Sequence, residues 1–300
     1  MMRRGLAAAC LLLATTAQAS VAVRDGMGNS VVLPAPAKRI VVLVPHAVET
    51  LYAIGAGKQL VAAVDYSDYP PAARRLPRVG GYSGLNVEAI LQQQPDLIVA
   101  WRDGGNLRTV QKLRQMGIPV YYSAPVLPAD IPREMRALGT LTGQQAGAEA
   151  QAVQFEQRMS RLQQRYRHSA PLRVFMQIGE QPVFTVSGQS FLGSLITLCG
   201  GRNVFGSLGT LAPTVGVEAV LAANPEAIVA SGMGLARPEW LDQWKRWPGL
   251  AANANGHLFF IPPDILQRHT PRILDGATRL CEQLESVRAQ RGDAASAVTP

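Results

Sequence analysis

The sequence predicts an α/β protein of two lobes with parallel sheets, joined by a single long helix, with a ligand cleft between them. Three observations carry the prediction. The first is a loose internal repeat: Val87-Glu-Ala-Ile-Leu-Gln-Gln-Gln-Pro-Asp-Leu-Ile-Val-Ala100 returns as Val217-Glu-Ala-Val-Leu-Ala-Ala-Asn-Pro-Glu-Ala-Ile-Val-Ala230. Each copy reads as a short helix, a break at Pro95 or Pro225, and a buried strand rich in β-branched residues. The second is the alternation of strand and helix patterns in each half, which implies parallel sheets. The third is the segment between the halves. From Gly147 to His168 it holds no Gly or Pro after Gly147, and Ala148, Ala152, Phe155, Met159 and Leu162 follow helical spacing. A helix of about 20 residues reaches roughly 30 Å, enough to run from one lobe to the other. A stiff connection of this kind predicts small lobe motions on binding. It also leaves a cleft at the lobe interface, where α/β lobes take ligands.

Taken in order, residues 1–19 read as a signal peptide. Met1-Met2-Arg3-Arg4 is basic, Gly5 to Leu13 is apolar, and Ala17-Gln18-Ala19 is the small-x-small pattern that places cleavage before Ser20. The N-terminal lobe, 20–146, opens on a hairpin from Val21 to Leu33 that turns at Asp25-Gly26. Arg39-Ile-Val-Val-Leu43 starts its sheet. Leu51 to Leu60 is an apolar helix ending in small residues, the first repeat copy follows, and Gly117-Ile-Pro-Val-Tyr-Tyr122 is a further strand. The connecting helix takes 147–169. The C-terminal lobe, 170–291, runs through the same order, with Arg173-Val-Phe-Met-Gln177, the helix near Leu195, the second copy, and His257-Leu-Phe-Phe-Ile261. Each half is thus a Rossmann-like lobe. Residues 292–300 read as a disordered tail.

Composition narrows the function classes. With 47% hydrophobic and 17% charged residues the chain is neither disordered nor fibrous. The net charge of +8 falls to +6 once Arg3 and Arg4 leave with the signal. The basic residues are dispersed (Arg74-Arg75, Arg102, Arg108, Arg158 to Arg167, Arg268 to Arg279) and form no stripe with aromatics, which argues against a nucleic-acid partner. No apolar run reaches the roughly 18 residues of a membrane span, so no direct membrane insertion is expected. A nucleophile elbow, a phosphate loop, a dinucleotide fingerprint and a zinc-protease motif are all missing, so the chain reads as no enzyme and as needing no cofactor. The histidines His46, His168, His257 and His269 are scattered. The enzyme alternative, a chelatase-like α/β enzyme, requires His46 and His269 to converge in the fold. Cys10 leaves with the signal, so Cys199 and Cys281 remain, an even number in an oxidising compartment. This favours a disulfide over two buried thiols, and no close pair exists to suggest zinc.

Five strings carry a resemblance to a known family. They are Tyr66-Ser-Asp-Tyr-Pro-Pro71, Leu85-Asn-Val-Glu-Ala-Ile90, Pro95-Asp-Leu-Ile-Val-Ala-Trp-Arg-Asp-Gly-Gly-Asn106, Leu198-Cys-Gly-Gly-Arg-Asn-Val-Phe205 and Asp264-Ile-Leu-Gln-Arg-His-Thr-Pro-Arg272. Together with the layout they resemble the periplasmic binding proteins of ABC importers, in the class whose two α/β lobes share one rigid helix, and most nearly its cobalamin-binding members. The resemblance covers residues from about 38 to about 288. It implies a monomer in the periplasm that captures cobalamin (vitamin B12) as transported ligand and delivers it to a two-fold permease and ATPase complex. Haem or a ferric siderophore is the alternative ligand within the class.

Carried over by position, the resemblance implies ligand contacts from Tyr66 and Tyr82 in the first lobe and Phe184 in the second, with Asp264 and Arg268 meeting the ligand's amide edges; the alternative for that local pair is a structural salt bridge. Tyr82 stands where the cobalamin binders place a tryptophan; its phenol ring still offers a flat face. The chain departs from the pattern in three places. A second tryptophan falls near Ala212, Gln267 replaces an acidic residue, and His46 is an addition at a loop expected to border the cleft. His46 is therefore a further ligand-contact candidate, and with His269 it raises the haem alternative. Cys199 and Cys281 match a cysteine pair of the family. Glu88 and Glu218 occupy the same place in the two repeats. Alone, each is a first-turn glutamate that suits the helix dipole. The family uses such a pair to dock on the two permease subunits, and two symmetric carboxylates suit a two-fold partner.

Overall fold

The computed structural model describes residues 20–232 and 234–296, with the side chains of 292–296 excluded. The expected signal peptide, 1–19, lies outside the described residues. The chain opens on the antiparallel hairpin of β1 (Val21–Arg24) and β2 (Ser30–Leu33). The Asp25 carboxylate accepts the backbone N–H groups of Met27 and Asn29 at 2.9 and 2.8 Å, which fixes the turn between the strands.

The N-terminal lobe continues with β3 (Ile40–Val42), α1 (Pro45–Ala53), β4 (Leu60–Ala63), and a small ribbon of β5 (Gly80–Gly81) and β6 (Gly84–Leu85). Then come α2 (Val87–Gln92), β7 (Leu97–Trp101), α3 (Leu107–Gln115), β8 (Val120–Ser123) and α4 (Asp130–Thr142). Its parallel sheet has the order β4-β3-β7-β8.

Gly143, at φ +71°, ends α4, and α5 (Gln145–Tyr166) follows almost at once. The connecting helix therefore starts two residues before the expected 147 and stops three short of 169. Gly147 lies in its first turn because a Cβ there would run into the carbonyl oxygen of Ile54 at the end of α1. The C-terminal lobe follows with β9 (Leu172–Gly179), β10 (Phe184–Thr185), α6 (Phe191–Leu198), β11 (Gly201–Asn203), α7 (Val217–Ala223) and β12 (Ala227–Ala230). A 3-10 stretch, Glu239–Arg246, leads to α8 (Ala251–Ala254), β13 (Leu258–Phe260), α9 (Pro263–Leu266) and α10 (Ile273–Ser296). β11, β9, β12 and β13 are parallel, and β10 adds antiparallel to β9. The helix α10 runs past Arg291, where a disordered tail was expected; 297–300 lie outside the described residues.

The two repeat copies become α2–β7 and α7–β12, each strand lying centrally in its sheet. Both sheets are buried on both faces, as parallel sheets covered by helices must be. Their alternation assigns the faces. Ile40, Val42, Leu97 and Val99 join Val174, Met176, Ala227 and Val229 in one core that also takes in Leu51, Met135, Leu138, Phe155, Leu195 and Leu280. The opposite faces form separate cores, with Val41, Ile98 and Leu113 in one lobe and Phe175, Ile228 and Trp244 in the other. The helices α1, α4, α5, α6 and α10 therefore weld the lobes through shared apolar contacts. This continuity supports small lobe motions. Cys199, at the end of α6, is bonded to Cys281 in α10, and both are fully buried.

Candidate functional site: the cleft between the lobes

A cavity of about 270 Å³ lies between the lobes. Its N-terminal wall is built from the loops at the carboxyl ends of β3, β4 and β7, where parallel α/β sheets present their ligand groups. These loops bring His46, Tyr66, Trp101 and Asn106 to the wall, and the β5–β6 ribbon adds Tyr82. The C-terminal lobe contributes Gln267, Arg268 and His269 from the loop after α9. A larger cavity of about 400 Å³ sits behind, against α5, but its charges are paired with one another. Arg158 meets Asp275 at 2.7 Å, and Arg272 meets Glu49 at 3.1 Å. The cleft is where free polar groups remain.

Four of the expected contact residues, His46, Tyr66, Tyr82 and Arg268, come together here. Two do not. Phe184 lies in β10 outside the cavity wall, about one-third exposed at 36%. Asp264 is turned onto Arg268 at 3.0 Å rather than into the cavity. Arg268 itself lines the cleft, but its charge is already engaged across the lobes, with Glu49 at 3.0 Å and Asp68 at 2.9 Å. Arg272 binds the second oxygen of Glu49 and lies 3.7 Å over the ring of Tyr69. Glu49 is buried in α1. Burial pushes its carboxyl above the usual carboxylate range, against the pull of Arg268 and Arg272. Arg268 and Arg272 thus form an ionic clasp with Glu49 and Asp68 across the lobes, and Asp264 adds the local salt bridge to Arg268.

At the mouth of the cleft stand two tyrosine rings, Tyr66 at 78% and Tyr82 at 90% exposure. Exposed aromatics around a cavity mark a binding surface. Tyr66 adopts φ +62°, a left-handed backbone that costs a bulky residue about 1 kcal/mol or more and tends to persist at ligand sites.

The floor holds two imidazoles. His46 is buried, and its Nε2 lies 2.6 Å from Ser123 Oγ, which donates to the Glu134 carboxylate at 2.8 Å. With the serine proton directed at the carboxylate, His46 donates from Nε2. Burial, then His269 and Arg268, push its pKa down to about 3, and burial raises Glu134 to about 7. His269 faces the ring of Phe191 at 4.1 Å between centroids, with His46 at 5.9 Å and Trp101 at 6.4 Å. Burial lowers its pKa to about 4, so it is neutral at ordinary pH. Neither ring nitrogen of His269 has a protein hydrogen-bond partner among the described residues. The convergence that the enzyme alternative required is therefore met in part. Among the described residues, however, no group of three or more His, Cys, Asp or Glu side chains is arranged to hold a metal ion.

Sequence reasoning missed Trp101 and Glu49, and it noted His269 only as a partner for His46. Trp101 was legible in principle: it is the last residue of a buried repeat strand, at the carboxyl edge where ligand groups gather. Glu49 had no such signal, because its partners lie about 220 residues away in the chain. Outside the cleft, Glu88 and Glu218 are both exposed in the first turns of α2 and α7, without an ion pair among the described residues.

Comparison with known proteins now bears on this geometry. The periplasmic binding protein family matches residues 40–265. The vitamin B12-binding protein of Vibrio parahaemolyticus is 34% identical over 256 residues, covering 85% of this chain and 92% of its own. That of Yersinia pestis is 38% identical over 260 residues, with 85% and 89% covered. The crystal structure of the periplasmic vitamin B12-binding protein BtuF of Vibrio cholerae superposes with a TM-score of 0.76 at 35% identity, covering 84% of this chain and 98% of that one. The periplasmic haem-binding protein RhuT of Roseiflexus sp. RS-1 shares the fold, with a TM-score of 0.73 at 21% identity over 83% and 98% of the two chains. Two lobes linked by one long helix, a cleft with aromatic rings at its mouth, and these likenesses lead to one conclusion: the chain belongs to the periplasmic binding protein family.

Proposed function

We propose that this protein is the periplasmic binding component of an ABC importer, capturing cobalamin in the cleft and delivering it to the permease and ATPase in the inner membrane. It is a carrier and not an enzyme, releasing the corrinoid it captured, and it carries no cofactor of its own. The observation that carries the reading is the cleft. Two exposed tyrosine faces flank a floor with Trp101 and a neutral imidazole, in a chain about a third identical to proteins named for vitamin B12. A corrin is broad, flat and edged with amides, and it matches aromatic faces with polar groups between them. The cavity of about 270 Å³ lies near the lower end of the roughly 300–1,000 Å³ of small-molecule sites. The macrocycle accordingly rests above this floor, between Tyr66 and Tyr82 on one side and the lobe of Phe184 on the other.

Glu88 and Glu218 serve as the docking pair, one on each lobe, for the two permease subunits. Their exposure and their equivalent places in the repeat support this role. The protein acts as a monomer facing a two-fold partner. The second reading, haem, is favoured by His269, since a free imidazole also ligates iron. Titration of the purified protein with cyanocobalamin and with haemin separates the two. One-to-one, tight binding of cyanocobalamin is expected; tight binding of haemin with none of cyanocobalamin overturns the proposal. Scattering profiles with and without ligand should give nearly equal radii, because the lobes share one core.

A further inference from the structure

We propose that His269 is an axial imidazole for the captured ligand: its free ring nitrogen replaces a labile water on the corrinoid cobalt as the ligand enters the cleft. The inference rests on the cobalamin reading above and adds a bond that the reading does not require.

The placement of the ring is the first argument. His269 belongs to a loop that is held on both sides. The Gln267 amide donates to the backbone carbonyl of Ser231, Arg268 is clasped by Glu49 and Asp68, and the Thr270 N–H returns to the Arg268 carbonyl at 2.8 Å. Phe191 packs edge-on against the ring, which limits its rotation. A ligand nitrogen is useful only when its position is set beforehand by supporting contacts.

The second argument is which nitrogens remain free. Two imidazoles reach the floor of the cleft. His46 is committed through Nε2 to Ser123 and, through that hydroxyl, to Glu134. His269 is committed to nothing among the described residues, yet it lines the cavity and is largely withdrawn from water. A polar ring that faces the cavity without a protein partner is open to one that enters the cavity, and the ligand can supply it.

The chemistry balances without a further reagent. The imidazole lone pair forms a cobalt–nitrogen bond, the cobalt–oxygen bond to coordinated water breaks, and the water leaves intact. Cobalt keeps its oxidation state, and no proton moves because the ring is already neutral. A cyanide ligand does not exchange in this way, so cyanocobalamin relies on the cleft contacts alone. The cleft should therefore discriminate between corrinoids by the lability of their upper ligand.

The test compares aquocobalamin and cyanocobalamin on the intact mature protein. Aquocobalamin should shift its visible bands on binding to those it shows with free imidazole, whereas the bands of cyanocobalamin should stay in place. His269→Ala and His269→Gln should abolish the shift and weaken aquocobalamin on the order of 10-fold more than cyanocobalamin. Circular dichroism checks that the variants are folded, and the wild-type band shift stands as a measurement without any variant. Binding of both corrinoids with unmoved aquocobalamin bands overturns the proposal alone. A shift that survives in both variants overturns it too. Failure of the wild-type protein to bind either corrinoid overturns the functional reading, and this proposal with it.

Discussion

The two lobes share one layout and fasten it by different means. In the N-terminal lobe, the helix after the first sheet strand, α1, is tied to α4 through His46, Ser123 on β8, and Glu134. In the C-terminal lobe the corresponding helices, α6 and α10, are tied by the covalent bond between Cys199 and Cys281. One fastening is a buried polar chain whose strength depends on protonation. The other acts mainly by restricting the unfolded chain, and pH does not touch it. The difference teaches that equivalent topology leaves the choice of fastening open, and that each lobe has its own vulnerability.

Acid should strike the first lobe hardest. The His46 pKa is near 3 in the folded protein against an ordinary 6.5, so the unfolded chain takes up its proton first as pH falls. Stability that is whole above pH 6.5 is therefore lost progressively toward pH 3, by about 5 kcal/mol for this group alone. Thermal melts of His46→Gln should show a flatter acid limb than the wild type. An unchanged acid limb would break the comparison at its first point.

Reduction should strike the second lobe. The bond spans 82 residues, and on the chain-entropy account its loss costs about 4 kcal/mol. The double variant Cys199→Ser, Cys281→Ser should lower the denaturation midpoint accordingly while leaving the shape of the pH profile intact. If the profile changed shape as well, the two fastenings would not be independent.

Glu134 sharpens the contrast from the alkaline side. Its carboxyl is raised from 4.5 to about 7, so its contribution is full below 4.5 and is lost as pH rises through 7. The loss amounts to about 3 kcal/mol, opposite in sign to that of His46. The two effects nearly cancel between pH 4.5 and 6.5, so the combined profile should be broad with its maximum near about pH 5.5, and Glu134→Gln should remove the decline above it.

The smallest structural effect is expected where the lobes are most alike. Glu88→Ala and Glu218→Ala should change stability by no more than about 0.5 kcal/mol, as exposed sites do. Corrinoid affinity should stay intact while uptake through the importer falls. Weakened corrinoid binding in these variants would instead assign the two glutamates to the cleft.

Much of the fold was legible in advance. The repeat announced α2–β7 and α7–β12, the breakless run announced α5, and the cysteine arithmetic together with the family likeness anticipated the bond that forms. The misses have physical causes. The boundaries of α5 shifted because Gly143 and Gly147 allow it to start directly against α4 and α1. The helix after Arg291 continues because its own backbone ladder extends it to Ser296, and the polar, small-residue composition read as a tail conceals that. The local Asp264–Arg268 pair is legible from its i,i+4 spacing, but whether Arg268 also meets a ligand or a buried carboxylate depends on what lies opposite. Opposite was Glu49, whose place in an apolar helix gave no hint of two arginine partners.

The sequence by itself determined the two lobes, the stiff link, the paired glutamates and the cysteine pair, because periodicity and repetition are properties of neighbouring residues. Only the tertiary structure decided that Arg268 clasps the lobes together and that His46 is bound to Ser123. It alone left His269 as the free imidazole over the cleft floor. Those outcomes depend on which side chains burial brings together from distant parts of the chain, and on which of them find a partner there.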